Sequence, residues 1–332
     1  MSSVWGERVK LTIFGESRGE AIGVVIDGLP AGENIDVEQC QAELTRRAPG
    51  QCELSSARKE PDEVRIISGL YNGVTTGAPL CAIIENIDAE REAPQATTAR
   101  PGHADYTAHI KYKGFADMRG GGHFSGRLTA PLVFAGSVAQ QILARRGVTI
   151  SAKAVKIGYA EDAEAMNNEI LAAKTDGDSV GGIVEVTATG VPAGLGAPFF
   201  SSMESTLAGL FFSIPAVKGV EFGGGFALAS MRGSQANDQM RMDGENVSFL
   251  SNNSGGILGG ITSGAPITAR VAFKPTPSIA KEQMSVDLAV MQNATVSTSG
   301  RNDPCVVLRA VPAVEACMAI GLLDKLEHAP NA

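Results

Sequence analysis

Positive charge is in short supply along this chain. Its 332 residues include 28 Lys and Arg against 36 Asp and Glu, which gives a formal net charge of −8 at pH 7. A nucleic-acid surface needs clustered basic side chains to neutralise phosphates, so a nucleic-acid partner is not expected. Basic residues gathered at one place could still hold a small anionic ligand.

Long apolar runs and paired cysteines are also missing. No stretch approaches the ~20 apolar residues that cross a bilayer, and residues 1–15 contain no hydrophobic signal core. The five cysteines are odd in number and show no Cys-x-x-Cys spacing, so neither a disulfide framework nor a zinc site is expected. These absences predict a cytoplasmic protein with reduced thiols, no metal and no membrane partner.

Several common catalytic and nucleotide motifs are absent or fail in context. The sequence has only four histidines and neither a G-x-G-x-x-G nor a Walker-type phosphate loop, so Rossmann and P-loop sites are unsupported. Residues 15–19 (GESRG) match the G-x-S-x-G nucleophile elbow, but that motif requires a following helix. Residues 21–27 read as a strand instead, which leaves a serine hydrolase acting through Ser17 as a distant alternative.

Glycine is abundant, and the 39 glycines separate short segments of alternating type. Runs rich in β-branched residues predict strands at Arg8–Phe14, Ile22–Ile26, Val64–Leu70, Leu80–Glu85, Val148–Ile157, Ile183–Thr189, Val217–Phe222 and, as two short strands, within Ile257–Phe273. Helical spacing and capping residues predict helices at Asp36–Arg47, Leu128–Arg146, Asp162–Lys174, Ser201–Phe212 and Ala310–Leu326. No linker separates these segments, so we expect one compact domain spanning residues 1–332.

Two features of the chain's organisation stand out. Residues 230–256 are polar and glycine-rich, and a stretch this long without periodicity predicts a flexible loop, either a functional lid or disordered. A weak internal similarity, called the sequence echo below, relates VVIDGLPAG at residues 24–32 to VTATGVPAG at residues 186–194. Each segment follows a predicted strand. A duplicated unit and chance similarity both explain the echo, and chance is the favoured explanation.

Residues 100–147 form the most informative stretch of the sequence. Three consecutive glycines, residues 120–122, lead into the second predicted helix. Free N–H groups and the positive dipole end of a helix would favour a bound anion there. An ordinary glycine turn without a ligand would have the same sequence pattern. Further upstream, Arg100 and Asp105 flank His103 and could tune its pKa.

Other candidate residues are spread along the chain. Lys274–Ser278 predicts either a proline turn or a cationic clamp, and Arg301–Cys305 predicts an Asp-Pro turn. Four distant arginines would make a polyanion pocket if the fold gathers them, since the guanidinium fork suits carboxylates and phosphates: Arg46, Arg47, Arg127 and Arg301.

Taken together, these motifs resemble one family, the chorismate synthases. The matching stretches follow one another from residue 5 to about residue 325. They are FGESRG, RRAPG, KEPDEVRIISG, RPGHADY, RGGGHFSGR, TGVPAGLG, AVKGVEFG, RGSQ, GGILGGI, KPTPS and RNDPCVVLRAVPAVEA. The resemblance therefore extends over nearly the whole chain.

The resemblance implies an activity that composition and spacing do not reveal. Chorismate synthases remove phosphate and a hydrogen from 5-enolpyruvylshikimate 3-phosphate by a 1,4-anti elimination, which yields chorismate for aromatic amino acid biosynthesis. They require reduced FMN, without net redox change. The implied fold is α+β, a β-α-β sandwich with antiparallel sheets, assembled as a homotetramer. The sequence leaves open whether this chain reduces its own flavin with NADPH or depends on a separate reductase.

The resemblance also implies roles for particular residues. Flavin contacts are expected from His123, Phe124, Ser125, Pro215, Ala216, Gly259, Lys274, Pro275, Thr276, Pro277, Ser278 and Arg301. Contacts to the substrate's anionic groups are expected from Arg47, Ser125, Arg127 and Arg301. His103 is expected to supply or hold a proton near the flavin, while Asp303 with Ser17 assists proton removal.

Three positions depart from the family pattern. Arg18 stands where the family's FGESHG motif has a catalytic histidine, which protonates the leaving phosphate. An arginine near that phosphate could pair with it but could not act as an ordinary general acid. Glu53 and Asn302 replace an arginine and a histidine. The leading interpretation is an active FMN-dependent lyase; the alternative is an FMN- and substrate-binding paralogue or variant with weak or no turnover.

Overall fold

The computed structural model describes residues 3–50, 54, 60–87, 96–298 and 302–327. Two main antiparallel sheets enclose a layer of helices. The first sheet contains, in spatial order, β1 (Val4–Trp5), β2 (Lys10–Gly15), β3 (Ala21–Asp27), β7 (Leu80–Glu85) and β4 (Val64–Ser68). The second contains β8 (Thr149–Ile157), β9 (Gly182–Thr189), β15 (Ile267–Phe273) and β10 (Val217–Phe222).

Short hairpins and helices complete the described ranges. The hairpins are β5 (Leu70–Tyr71) with β6 (Val74–Thr75), β11 (Met240–Asp243) with β12 (Asn246–Phe249), β13 (Ile257–Leu258) with β14 (Ile261–Thr262), and β16 (Gln283–Asp287) with β17 (Gln292–Val296). The α-helices are α1 (Val37–Arg47), α2 (Asp105–Lys111), α3 (Thr129–Arg145), α4 (Ala163–Thr175), α5 (Met203–Ser213), α6 (Gly233–Ala236) and α7 (Val307–Leu326). None of these helices combines the length and apolarity of a membrane span.

Helices α3 and α7 form the centre of the middle layer. Helix α3 packs against β3 and β7 of the first sheet, α7 packs against β8 and β9 of the second, and the two helices pack on each other. Gly136 permits that close approach, because a Cβ atom there would lie 2.1 Å from the Cβ atom of Ala316. This architecture confirms the β-α-β sandwich of helices and antiparallel sheets that the resemblance implies.

The two sheets are copies of one topology. In each half two neighbouring strands are followed by a helix, an edge strand, a short hairpin, a returning strand and a long helix. The spatial order is β2-β3-β7-β4 in the first half and β8-β9-β15-β10 in the second, so equivalent strands occupy equivalent places. The second half adds α4 and residues 223–256 to this plan.

Matching hydrogen bonds show that the halves are related in detail. Thr75 Oγ1 donates to the Pro30 carbonyl at 2.6 Å, and Thr262 Oγ1 donates to the Pro192 carbonyl at 2.7 Å. Each threonine also holds a glycine two residues after its proline: Gly32 N–H reaches the Thr75 carbonyl at 2.8 Å, and Gly194 N–H reaches the Thr262 carbonyl at 2.9 Å. Chance was therefore the wrong explanation of the sequence echo, because both segments perform the same structural task.

Residues 230–256, expected to be a flexible loop, contain regular structure. Helix α6 and the β11–β12 hairpin lie within them. The carboxylate of Asp238 accepts hydrogen bonds from Ser251 Oγ at 2.6 Å and from the Asn253 N–H at 2.7 Å, which ties the segment together. The expectation was wrong because these elements expose almost all of their side chains and so carry no apolar periodicity.

Smaller differences concern elements without a clear sequence signal. Helix α2 and the β16–β17 hairpin were not expected, and α7 begins at Val307 rather than Ala310. The polar, mixed sequence of residues 89–99 predicts a surface loop, and most of this stretch lies outside the described residues. The stretch predicted as two short strands within Ile257–Phe273 contains three strands, β13, β14 and β15. The remaining predicted helices and strands are confirmed to within a few residues at each end.

Candidate functional site

A cavity of about 650 Å³ opens where the two halves meet. Equivalent parts of both halves line it, namely the C-terminal ends of α1 and α5 and the long segments that follow β7 and β15. The first long segment contains the glycine stretch and the start of α3, and the second contains Lys274 and the residues before α7. Both repeats therefore shape one shared pocket.

Three arginines that line the pocket, Arg47, Arg127 and Arg309, form a connected group that we call the arginine cluster. The buried carboxylate of Asp62 bridges two of them, accepting from Arg47 Nη2 at 2.7 Å and pairing with Arg127 Nη1. Arg127 Nε donates to Asn86 Oδ1 at 2.9 Å. Arg309 joins the group by donating from Nε to the Arg47 carbonyl at 3.0 Å.

The arginine cluster carries its charges in a buried setting. Burial is the largest influence on Arg47 and, with repulsion from Arg309 and Arg127, lowers the pKa of that guanidinium to about 10 despite the attraction of Asp62. Burial would raise the pKa of Asp62, but Arg47 and Arg127 outweigh it and hold that pKa below its usual value. The buried Nε of Arg47 has no hydrogen-bond partner among the described residues, so it can serve a ligand.

A second charged group surrounds His103 in the pocket wall. Arg100 donates from Nε and Nη2 to the two oxygens of Asp105 at 2.8 Å each, and His103 Nδ1 lies 2.7 Å from the same carboxylate. Burial would raise the pKa of Asp105, but hydrogen bonds from Arg100 and His103 hold it well below its usual range. Because the ionised carboxylate only accepts, Nδ1 is the donor and Nε2 is left for the pocket.

The glycine stretch connects the two charged groups. Gly121 has φ +95°, and a Cβ atom there would lie 3.2 Å from His103 Nε2 and 3.5 Å from Ser125 Cβ. Only glycine fits this backbone and this space. Ser125 Oγ in turn accepts from the Arg127 N–H at 3.2 Å, so the start of α3 is fixed beside His103.

The segment after β15 supplies another polar wall. Lys274 Nζ donates to the Gly102 carbonyl at 2.9 Å, which links the segment to the His103 region. The Oγ1 atom of Thr276 is buried and has no hydrogen-bond partner within the described ranges. Since burying a hydroxyl without a partner is costly, this wall is built for a polar ligand.

Most residues implied by the resemblance meet at this pocket. Those in its wall are His103, His123, Phe124, Ser125, Pro215, Ala216, Lys274, Thr276, Pro277, Ser278, Arg47, Arg127 and Asp303. Arg301 and Glu53 lie outside the described residues. His123 is also tied to the protein, because Nδ1 donates to the Gly15 carbonyl at 2.8 Å and Nε2 accepts from Ser3 Oγ at 2.9 Å.

Ser17 is not part of the pocket wall, and its expected catalytic role stays a prediction. It is fully buried behind the glycine stretch, where its N–H donates to the Gly122 carbonyl at 3.0 Å. Its Oγ lies 3.1 Å from the place that a Cβ on Gly120 would take. This hydroxyl therefore lies beside the backbone of the glycine stretch, whose first residue, Gly120, lines the cavity.

Arg18 is likewise outside the pocket wall, and its expected place near the substrate phosphate stays a prediction. Its Nε is 3.2 Å from the Cβ position of Gly120, on the same side as Ser17. Hydrogen bonds from Arg119 and, more weakly, the charge of Arg18 lower the pKa of Asp117.

Gly259 and Pro275 are two further expected flavin contacts that the pocket wall does not include. Gly259 lies in the exposed turn of the β13–β14 hairpin, at the place that Asn72 takes in the first repeat. Pro275 lies between two wall residues, Lys274 and Thr276, and is exposed. The repeat explains the position of Gly259, because the hairpin belongs to the shared scaffold.

Sequence reasoning missed several residues that build the pocket. Asp62, Arg309 and Lys218 received no role, although each lies inside a stretch that carries the resemblance, namely KEPDEVRIISG, RNDPCVVLRAVPAVEA or AVKGVEFG. The signal that could have identified them is that each is a charged residue inside one of these motifs. Asp62 acts through pairs with Arg47 and Arg127, which lie 15 and 65 residues away in the sequence, and no local pattern reveals such pairs.

The fold and the pocket define a class of protein, an α+β protein with an arginine-rich pocket for a small molecule between two repeats. Comparisons with known proteins narrow this class. The family model described as chorismate synthase matches residues 9–326. A chorismate synthase of Pyrococcus abyssi is 48% identical over 97% of this chain and 96% of its own length.

Other relatives agree with this match. The chorismate synthases of Thermococcus gammatolerans and Korarchaeum cryptofilum are 47% and 46% identical over 97% of this chain, and the alignments cover 96% and 97% of their lengths. A crystal structure of chorismate synthase superposes with a TM-score of 0.75 at 28% identity, covering 97% of this chain and 92% of that one. The chain belongs to the chorismate synthase family.

Proposed function

We propose that this chain forms chorismate in the pocket between its repeats, by eliminating phosphate and a hydrogen from 5-enolpyruvylshikimate 3-phosphate with reduced FMN as cofactor. Family membership along nearly the whole chain supports chorismate formation, and the comparisons give no support to a non-catalytic paralogue. One observation supports this pocket as the site of the reaction: the arginine cluster, His103, Lys274 and Thr276 line a single cavity.

The polar and basic side chains in the pocket wall suit an anionic flavin. Thr276 Oγ1 and Arg47 Nε are buried polar atoms without partners in the described ranges, and the ammonium group of Lys274 is nearby. The residues proposed to hold FMN are Phe124, Ser125, Pro215, Ala216, Lys274, Thr276, Pro277 and Ser278, with Arg301. When bound, reduced FMN would lend an electron to the substrate and help to take its hydrogen.

The arginine cluster suits the substrate, which carries two carboxylates and a phosphate. Arg47 and Arg127 are proposed to bind these groups together with Ser125. Both guanidinium groups are almost fully buried, so their attraction to an anion is screened little by water. Asp62 holds the two guanidinium groups in place before the substrate arrives.

His103 is proposed to hold a proton at Nε2, because Asp105 fixes the opposite ring nitrogen as a donor. Asp303, which lines the pocket and pairs with Arg309, is proposed to assist proton removal. We do not propose a contact between the reacting groups and either Ser17 or Arg18. The carbon–oxygen bond to phosphate breaks, the phosphate leaves with that bond's electron pair, and the carbon–hydrogen bond supplies electrons for the new double bond.

We also propose a homotetramer in the cytoplasm. Large apolar side chains that are exposed on a single chain fit such an assembly: Phe199, Phe200, Phe226, Met240 and Met242. Light scattering at micromolar concentration should give the mass of four chains, and a monomer would contradict this part of the proposal. Use of NADPH to reduce the flavin stays a prediction, which anaerobic flavin reduction by NADPH in the presence of the protein would test.

Anaerobic turnover tests the proposed function. The protein is mixed with chemically reduced FMN and 5-enolpyruvylshikimate 3-phosphate, and chorismate absorbance and phosphate release are followed together. We expect both products in equal amounts, with no chorismate when FMN is omitted. Release of phosphate without chorismate, or no product at all, would contradict the proposal.

A further inference from the structure

Lys218 is the extra residue of a β-bulge in strand β10. Val217 pairs with Phe273 and Gly219 pairs with Ala272, so Lys218 has no opposite residue in β15. Consecutive side chains of a regular strand point to opposite faces, yet Val217 and Lys218 both line the pocket. The bulge is what turns this lysine toward the cavity.

The backbone before the bulge is held in an unusual conformation. Ala216 has φ +75°, in the left-handed region that residues other than glycine rarely occupy. Its carbonyl accepts the Lys274 N–H at 2.9 Å, which ties the start of β10 to the end of β15. Lys218 and Lys274 are thereby placed on adjoining strands beside the same cavity.

The two lysines carry positive charge that no carboxylate of the described residues balances. Lys274 Nζ donates to the Gly102 carbonyl, and Lys218 makes no ion pair in the described part of the chain. Burial and, next, the charge of Lys218 lower the pKa of Lys274, so the ammonium groups repel each other. The arginine cluster differs, because Asp62 and Asp303 already balance much of its charge.

Thr276 adds a hydrogen-bond donor to the same wall. It lies two residues after Lys274, and its buried Oγ1 has no partner in the described residues. Two unbalanced ammonium groups and an unused hydroxyl are the donors that a phosphate monoester requires, since its oxygens only accept and carry nearly two negative charges.

We propose that Lys218, together with Lys274 and Thr276, binds a phosphate monoester in this pocket, and that Lys218 is a ligand-binding residue of the reaction. The proposal rests on the proposed function, because that function supplies two phosphate monoesters, FMN and the substrate. The shared chemistry is the phosphate group, and binding measurements distinguish which molecule carries it.

The test compares wild type with Lys218→Met, which keeps the length of the side chain and removes the charge. Calorimetry under identical buffer gives the affinity for four probes: FMN, riboflavin, the substrate, and the substrate without its phosphate. Loss of a charge-assisted contact should weaken one phosphate-bearing probe about tenfold to a hundredfold and leave its phosphate-free counterpart unchanged. Lys218→Arg should recover most of the affinity.

The matched control is Lys153→Met, since Lys153 is an exposed lysine on the edge strand of the same sheet and does not line the pocket. It should change none of the four affinities. A selective loss for FMN assigns the site to the flavin phosphate, and a selective loss for the substrate assigns it to the substrate phosphate. Equal affinities of wild type and Lys218→Met for both phosphates overturn the inference, while wild type that binds neither probe contradicts the proposed function as well.

Discussion

The segments that follow α1 and α5 occupy equivalent places in the two repeats but differ in length and chemistry. Residues 48–63 separate α1 from β4, whereas residues 214–216 suffice between α5 and β10. The long segment brings Asp62 against the arginine cluster, and the short one ends in the strained Ala216 and the bulged Lys218. A repeated scaffold thus carries an asymmetric site, because the connections diverged while the hairpins and helices did not.

The segments that follow β7 and β15 differ in the same way. The first supplies His103 and the glycine stretch, and the second contains no histidine but supplies Lys274 and Asp303. Each half therefore contributes what the other lacks, and neither could form the pocket alone.

The largest expected effect concerns the histidine that only the first half supplies. His103→Ala should lower kcat about 10²- to 10⁴-fold with little change in KM, because proton transfer is lost while the arginine cluster is intact. Anaerobic steady-state kinetics measure this. His109→Ala is the matched control, since His109 lies on the neighbouring helix α2 outside the pocket wall. An equal loss in both variants would show that His103 has no specific role.

Asp62 tests the specialised connection of the first half. Asp62→Asn should lower the free energy of unfolding by about 3–5 kcal/mol, because buried Arg47 loses its carboxylate partner and Arg127 keeps only Glu60, at 3.7 Å. Urea unfolding measures the change, with Asp176→Asn on the exposed surface as control, for which a change below about 0.5 kcal/mol is expected. A loss at Asp62 no larger than the control would contradict the role of the bridge.

The same carboxylate gives a pH dependence with a definite sign. The pKa of Asp62 is lowered in the folded protein, so its contribution to stability is present above the unfolded pKa of about 3.9 and is lost as the pH falls through the folded value. The stability difference between wild type and Asp62→Asn should therefore shrink on acidification. A constant difference from pH 7 to pH 2 would argue against an ionised Asp62.

The shared scaffold predicts equal effects in the two halves. Thr75→Val and Thr262→Val each remove a hydroxyl that donates to a proline carbonyl and accepts a backbone N–H. Each should cost about 1–3 kcal/mol of unfolding free energy, and the two values should agree within about 0.5 kcal/mol. A large difference between them would show that the threonine hydroxyl does not contribute equally to stability in the two repeats.

Arg18→His is expected to have the smallest effect on turnover. Because Arg18 does not line the cavity, kcat should change by less than about tenfold, well below the 10²- to 10⁴-fold typical of general acid catalysis. Anaerobic kinetics across pH measure it, with Arg232→His as an exposed control. A gain of a hundredfold would restore the interpretation that Arg18 replaces a catalytic acid.

Local signals in the sequence predicted much of the scaffold. The cap at Asp36, whose side chain accepts from the N–H groups of Glu38 and Gln39, marks the start of α1, and β-branched residues give strand β10 its predicted bounds. The duplication was missed although GLYNGVTTGAP at residues 69–79 repeats as GILGGITSGAP at residues 256–266. Comparing both pairs of segments together would have removed chance as the explanation.

The candidate site was predictable only in part, because its geometry depends on distant contacts. The motifs located His103 and Arg47, but nothing local shows that Asp62, with φ +50°, turns back to join two arginines. The bulge at Lys218 depends on the register of β10 against β15, which the residues of β10 do not encode alone. Likewise, the orientation of Arg18 follows from the glycine stretch packed against it.

The central claim is that one pocket, built from both repeats, holds flavin and substrate together. Calorimetric titration of FMN into the protein, with and without 5-enolpyruvylshikimate 3-phosphate, tests it most directly. The account predicts that FMN binds and that its affinity rises strongly when the substrate is present, because each ligand covers the other in a shared cavity. Absence of FMN binding in the presence of the substrate would contradict it.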